Sequence, residues 1–490
     1  MMSKISLSQL EPKAVWENFE QLTKIPRPSK KEGKVLAYLA DWAKKNNLEY
    51  KQDAAGNIVI KKPATKGMEN LTPVALQGHV DMVCESNSGV VIDFDNDPID
   101  AYVDGDFVKA KGTTLGADNG IGVAMGLAIL ASKDIPHPPI ELLCTIDEET
   151  GLTGANRLEK DMLNAKILLN LDSEVEGAFT IGCAGGVNTF GSYDYKADAV
   201  PTEAKTFQIT VTGCQGGHSG LNISDERANA IVMLSRIILR LTRKVNARLV
   251  SFDAPGKHNA IPREAKATVM IKNVALSDFK SYLDDCNNVI IKEYISVEPK
   301  LRIFYEEVAT PKRVLSISAQ KKFIESLFVI PHGVYRWSPD IPELVQTSTN
   351  LAIVETNSDK ITVLTSQRSS VESEKIFLAT KVRLAMELGD AFTTFEGGYP
   401  AWEPNVNSKI LKIATNLYKK MNNKEAKVEA IHAGLECGII GEKYPGMEML
   451  SFGPNLFDVH TPNEKVQISS VQNIWKYLLE LLKNIPENTK

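Results

Sequence analysis

Three short apolar runs, Val74–Val83, Pro139–Ile146 and Ala165–Leu171, constrain this chain more than any other feature, because each carries histidine or carboxylate side chains at its carboxyl end. The first holds His79 and Asp81, the second runs into Asp147-Glu148-Glu149, and the third into Asp172. Continuous apolar runs of this length read as strands buried on both faces, the kind found in parallel sheets covered by helices. Apolar spacing at Val15, Trp16, Phe19 and Leu22 predicts one covering helix, and Lys30–Asn46 a second. The Gly-punctuated loop Thr113–Gly122 leads into a third, from about Gly120 to Ser132. The fold class is therefore α/β with a mainly parallel sheet, and ligands of such sheets gather at strand carboxyl ends. Residues two apart on a strand face the same side, so His79 and Asp81 leave theirs together.

At 490 residues the chain exceeds what one core usually organises, and two domains are expected. After Gly185-Gly186 the texture changes. Strand Thr206–Thr212, helix Asp225–Lys244, strands Arg248–Phe252 and Ala265–Lys272, helix Ser277–Tyr294 and strand Lys300–Tyr305 follow the ferredoxin-like order β-α-β-β-α-β. Helix Ala319–Val329, strands Asn350–Thr356 and Lys360–Gln367, helix Val371–Leu388 and strand Ala391–Phe395 look like a worn second copy. The expected division is one domain from residues 1–186 and 400–490, with an inserted α+β domain of two ferredoxin-like halves over 187–399.

Composition removes several function classes. With 43% apolar and 24% charged residues and a net charge of −5, there is no basic footprint for nucleic acid. No run of eighteen apolar residues suggests a membrane span, and Met1–Pro12 lacks the apolar core of a signal peptide, so a cytoplasmic protein is expected. Six scattered cysteines without C-x-x-C spacing fit reduced thiols. The Gly-rich loops match neither G-x-x-x-x-G-K-[ST] nor a properly placed G-x-G-x-x-G, which argues against a nucleotide fold.

The chemistry-bearing residues are His79, Asp81, Asp118, Glu148, Glu149, Asp172 and, far downstream, His460. Each alone has an ordinary reading: a buried His–Asp pair, an Asp-Asn turn, an acidic loop after a strand, a helix cap, a surface histidine before Thr-Pro. Together, two imidazoles and several carboxylates at strand and loop ends suit zinc, manganese or cobalt. They are too many for one zinc and about right for two ions sharing a bridging carboxylate. No spacing promotes His137, His258, His332 or His432 to ligands.

The motifs GHVDMV, TTLGADNG, TIDEETG, NLDSE, GGHSG and DVHTPNE, in that order, resemble the co-catalytic zinc peptidase family that includes aminoacylases, glutamate carboxypeptidase and cytosolic dipeptidases. Their order and the large insertion are most similar to its bacterial aminoacyl-histidine (Xaa-His) dipeptidase branch. The resemblance implies two divalent ions, zinc first with manganese or cobalt as alternatives. His79 and Asp172 would bind one, Glu149 and His460 the other, and Asp118 both. Asp81 would orient His79. Glu148 would be the general base that draws the proton from a metal-activated water attacking the peptide carbonyl. His218 resembles the family's lid histidine, a donor to the oxyanion. Asn259 and Arg368 resemble lid residues that engage the substrate backbone or its carboxylate, and Gly434 and Glu436 the loop near its free amine. The implied activity is hydrolysis of unblocked dipeptides, including Xaa-His substrates such as β-Ala-His, by a cytosolic enzyme that can form a homodimer. An aminoacylase or carboxypeptidase of the same superfamily is the alternative, and a non-enzymatic binding protein a more distant one.

Overall fold

In the computed structural model, which describes residues 6–488, each apolar run is a fully buried strand: β1 (Val74–His79), β2 (Ile140–Thr145) and β3 (Ile167–Asn170). Residues 1–5 and 489–490, the ends of the first expected domain, lie outside the described residues. β1 runs parallel to β2 and β3, with Leu76 opposite Leu142 and Leu169, and Glu448–Ser451 extends the parallel set beyond β3. This register brings the carboxyl ends of β1, β2 and β3 side by side. The eight-stranded sheet runs Glu49–Gln52, Ile58–Lys62, β2, β1, β3, Glu448–Ser451, Ala178–Cys183, Lys427–Ile431. It is mixed rather than mainly parallel, since Ile58–Lys62 pairs antiparallel to β2 and Ala178–Cys183 antiparallel to Glu448–Ser451. Glu49–Gln52 and Ile58–Lys62 form a hairpin, which needs only a short turn, so this edge of the sheet is antiparallel throughout.

Helix α1 (Lys13–Thr23) buries Val15, Trp16, Phe19 and Leu22, the stripe its sequence spacing predicts. Helix α2 (Ala117–Ala131) is small or apolar on every side and buried along nearly all its length, as a core helix must be. Its regular geometry begins only after Asp118 and Asn119, whose backbones are non-helical and joined by a cis peptide. The preceding Gly116 has φ +71, and a Cβ there would lie 2.5 Å from the Arg27 guanidinium, so only glycine fits. One turn of helix, α3 (Glu148–Gly151), follows β2.

By internal contacts the chain forms two compact units. The first comprises the chain up to Gly182, Pro404–Ala430 and the chain from Leu435 onward; the second comprises Cys183–Glu403 with Ile431–Gly434. The short return of Ile431–Gly434 to the second unit has no signature in the sequence. Within the second unit, Ala204–Thr212, Arg248–Asp253, Ala265–Lys272 and Arg302–Glu307 form an antiparallel sheet in the spatial order second, third, first, fourth. Gly185–Asp194, Val345–Thr356, Lys360–Ser369 and Phe392–Tyr399 repeat that order, with Gly333–Trp337 added at one edge. The second set thus takes its first strand from before the first set, a strand that Gly185, Gly186 and Gly191 hide from any apolar pattern. One core, including Phe252, Phe279, Phe323, Leu241 and Val382, joins both sets, each full burial worth about 1.5–3 kcal/mol. Among the described residues, no helix is long and apolar enough to cross a membrane.

Candidate active site

The first unit brings together every residue expected to bind an ion. His79 ends β1, and its Nε2 lies 3.0 Å from Asp118 Oδ1 and 3.5 Å from Asp172 Oδ1. The other carboxylate oxygen of Asp118 lies 3.1 Å from His460 Nε2, which is 3.0 Å from Glu149 Oε2. Four clusters among the described residues have ligand atoms within 4.8 Å of one another; two of them, His79–Asp118–Asp172 and Asp118–Glu149–His460, share Asp118, and the others are His79–Glu148–Glu149 and Glu32–Asp81–Asp147.

Asp81 is fully buried beneath this cluster. Its Oδ1 sits 3.3 Å from His79 Nδ1 and accepts the Glu148 amide at 3.1 Å. Its Oδ2 accepts the Glu149 amide at 3.3 Å and the Ser29 hydroxyl at 2.8 Å. One carboxylate therefore sets both the histidine and the turn that bears the two glutamates. That turn starts at Asp147, whose left-handed backbone (φ 47) reverses the chain out of β2. Asp147 accepts hydrogen bonds from the hydroxyls of Thr150 and Thr153, and its amide donates to Glu32.

The electrostatics suit a cation. Burial, then the charges of Asp172, Glu436 and Glu149, raise the Glu148 carboxyl well above its usual range against the pull of His79. Burial also raises Asp172. Although burial opposes it, hydrogen bonds from His460 and His79 hold Asp118 well below the ordinary carboxylate range. His460 is pushed up to about 11 by its hydrogen bonds to Asp118 and Glu149. Glu149 Oε1 and Asp172 Oδ1 are buried acceptors with no hydrogen-bond donor among the described residues. Buried acceptors without donors are costly unless a cation fills the place. The donor set thus fits two divalent ions and holds no thiolate.

A polar layer that the apolar strand pattern conceals lies at the same strand ends. Glu436 Oε2 accepts from Gln77 Nε2 and Thr145 Oγ1, both at 2.7 Å, while Gln77 Oε1 accepts from Asn170 at 2.5 Å. Glu436 Oε1 has no donor among the described residues, and burial pushes this carboxyl up to about 7.

The remaining expected residues, His218, Asn259, Arg368 and Gly434, fall in the second unit, so the motif His432–Gly438 contributes Gly434 to one unit and Glu436 to the other. His218 Nδ1 accepts the backbone amides of Gly220 and Leu221, both at 3.2 Å. With Nδ1 committed as acceptor, the ring proton resides on Nε2. Burial, then Arg368 and His258, lower the His218 pKa, so the ring stays neutral and its Nε2–H is a donor. Arg368, 6% exposed, donates to the Tyr399 hydroxyl at 2.7 Å. The Tyr399 ring occupies the place of a side chain at Gly434, where a Cβ would lie 2.9 Å from it. The Asn259 backbone carbonyl accepts from the Ser219 amide at 2.9 Å. His432, read as a non-ligand, is buried with its Nε2 2.7 Å from Ser348 Oγ.

Comparison with known proteins agrees with this geometry. The profile of Peptidase family M20/M25/M40 matches residues 75–484. The Cytosol non-specific dipeptidase of Escherichia coli (strain K12) is 40% identical over 480 residues, spanning 98% of this chain and 99% of that protein. The crystal structure of aminoacylhistidine dipeptidase from Vibrio alginolyticus is 42% identical and superposes with a TM-score of 0.94 over 99% of both chains. A tripeptidase from Staphylococcus aureus, 16% identical with a TM-score of 0.56 over 97% of this chain and 99% of that one, shares the fold. A carboxylate shared by two ligand sets at the ends of parallel strands, and a match that runs from β1 past His460, have one explanation: the chain belongs to the peptidase family M20/M25/M40.

Proposed function

We propose that this protein is a cytosolic metallodipeptidase that hydrolyses unblocked dipeptides, Xaa-His substrates such as β-Ala-His among them. The observation that carries the reading is Asp118, whose two oxygens face two separate imidazoles, each backed by a further carboxylate. The substrate class follows the dipeptidases of Escherichia coli and Vibrio alginolyticus, and the location follows the Escherichia coli cytosol enzyme. Zinc is the ion we assign to both places, with manganese and cobalt as the alternatives for this donor set. His79 and Asp172 would hold one ion and Glu149 and His460 the other, with Asp118 available to both. When bound, such a pair supplies positive charge that acidifies water and polarises the scissile carbonyl.

The chain's own residues then divide the work. Glu148, raised by burial and by its acidic neighbours, takes the proton of the attacking water and returns it to the departing amine. Asp81 keeps Glu148, Glu149 and His79 in register through its four contacts. His218 offers its Nε2–H to the oxyanion. Arg368 takes the free carboxylate, with Asn259 on the substrate backbone, and the unpaired Glu436 Oε1 takes the free ammonium beside the loop at Gly434. We assign residues 1–186 and 400–490 to the catalytic domain and 187–399 to a lid of two ferredoxin-like halves, supported by the repeated strand order of the second unit. The chain can act alone or as a homodimer, and sedimentation distinguishes the two.

The test is hydrolysis of Gly-His, β-Ala-His, Ala-Ala, a tripeptide and N-acetyl-Ala by protein loaded with zinc, manganese or cobalt, with Glu148→Ala as control. Cleavage of the dipeptides alone, lost in the variant, supports the proposal. Preference for N-acetyl-Ala or the tripeptide makes it an aminoacylase or a longer-peptide enzyme instead, and two bound ions without any cleavage make it a binding protein.

A further inference from the structure

We propose that Glu464 is a positioning residue for Asp118, holding the stretch of backbone from which the shared carboxylate projects. The inference rests on the two-ion reading above. Glu464 is 2% exposed and lies on the same loop as His460, four residues on. Its Oε2 accepts the amides of Leu115 at 2.7 Å and Gly116 at 3.0 Å, and its Oε1 those of Ala117 at 2.7 Å and Asp118 at 3.2 Å. Four consecutive amides converge on one carboxylate, which has about four lone-pair sites to offer. Burial raises this carboxyl, but the backbone amides that point at it oppose the rise, and with both oxygens accepting two amides each the group serves as an acceptor throughout, so the cradle is stiff.

Helix capping does not account for it. Capping serves the unpaired amides at a helix start, yet Leu115 and Gly116 precede α2, and Asp118 is itself non-helical. What the four bonds share is the segment ending in Asp118. Its other side is held by the buried Arg27, whose Nη2 donates to Gly116 O at 2.5 Å while Nη1 donates to Val80 O at 2.9 Å and Asp81 O at 3.0 Å. Four amides are gripped from one side and one carbonyl, that of Gly116, from the other, and the carboxylate of Asp118 is left facing His79 and His460. The last loop therefore delivers both an ion ligand, His460, and the clamp on the backbone of the ligand that faces it.

Glu464→Gln keeps the shape and turns one end of the group from acceptor to donor, so two of the four amides meet a donor. The experiment titrates metal-depleted full-length protein with Co2+, following visible absorption, alongside near-UV circular dichroism and steady-state kinetics on Gly-His. Expected for the variant are wild-type dichroism, a changed Co2+ spectrum, affinity weakened on the order of 10–100-fold, and lower kcat at unchanged KM. Glu464→Asp, which keeps the charge on a shorter arm, should fall between the two. Wild-type Co2+ affinity and spectrum in Glu464→Gln, or a change confined to KM, would overturn the proposal. Should Glu464→Gln not fold, hydrogen exchange of the wild type decides. Amides 115–118 are expected to be protected before any metal is added, and exchange that slows only on metal addition refutes the clamp. A wild-type protein that neither binds Co2+ nor cleaves Gly-His would instead refute the two-ion reading itself.

Discussion

Asp81→Asn is the perturbation whose consequence can be followed atom by atom. Asp81 serves four groups: His79 and the Glu148 amide at Oδ1, the Glu149 amide and Ser29 at Oδ2. An asparagine has one acceptor oxygen, so one side must present an NH2 group. On the Oδ1 side it would face both the Glu148 amide and His79, forcing the imidazole proton onto Nε2, the nitrogen that faces Asp118 and Asp172. On the Oδ2 side Ser29 can rotate to accept, and only the Glu149 amide loses its partner. The second arrangement is therefore preferred. It costs about 1–3 kcal/mol for one buried amide left unsatisfied. His79 also loses the negative charge behind it, and outer-shell changes of this kind cost on the order of 10–100-fold in metal affinity or activity. The expected result is a kcat for Gly-His lower by that factor, KM unchanged, weaker Co2+ binding, and a melting temperature lower by a few degrees. A variant with full kcat and full metal affinity would refute the reasoning, because it would mean that neither His79 nor the Glu148–Glu149 turn depends on the charge of Asp81.

Glu148→Gln should keep two ions by elemental analysis and lose about 10²–10⁴-fold in kcat, since Glu148 stands outside the two sets joined by Asp118. His218→Ala should lower kcat about 10²–10³-fold without changing ion content, and 15N spectra of the wild type should show Nδ1 of His218 unprotonated near neutral pH. Metal uptake should release protons: His460 is held near 11, and His79 is raised by Asp172, Asp118 and Asp81 despite its burial, so both are cations before an ion arrives. Calorimetry in buffers of different protonation enthalpy should show net release, with affinity rising from neutral pH toward about 11. In the metal-depleted protein the same shift has the opposite sense. The folded pKa of His460 lies above its unfolded value, so its stabilising contribution is complete below about pH 6.5 and is lost as pH rises through 11. Thermal melts across that window read it.

Most members of the two His–carboxylate clusters are legible in the sequence because His79, Glu149 and Asp172 stand where an apolar strand runs out and Asp118 where a glycine loop does, whereas His460 carries no such local mark. The mixed edges of the sheet are not, since Glu49–Gln52 and Ala178–Cys183 carry no mark of the direction in which they pair. Gln77, Thr145 and Asn170 sit inside apolar runs where they pass for tolerated polar residues, and only the parallel register makes them neighbours of one another and of Glu436. Glu464 is opaque for a different reason. Its partners are backbone amides 346 to 349 positions away, and an amide has no identity that a sequence could display.

Gly434 shows how a residue singled out by its motif can carry a structural reason that the motif does not contain. The resemblance assigns it to a loop beside the substrate amine, and in the fold it groups with the second unit while Glu436, two residues on, groups with the first. A Cβ at Gly434 would press on the Tyr399 ring, and a Cβ at Gly186 would lie 2.5 Å from the same ring. Two glycines, far apart in the chain, thus make room for the ring of Tyr399, whose hydroxyl accepts from Arg368 and whose backbone carbonyl accepts from Lys375, both at 2.7 Å. Arg368 can serve a carboxylate only if its fork is held still, and a planar guanidinium tied at one nitrogen to a wedged phenol is held. If Arg368 takes the substrate carboxylate as proposed, the glycine contributes the space it leaves for Tyr399, which holds that guanidinium in place.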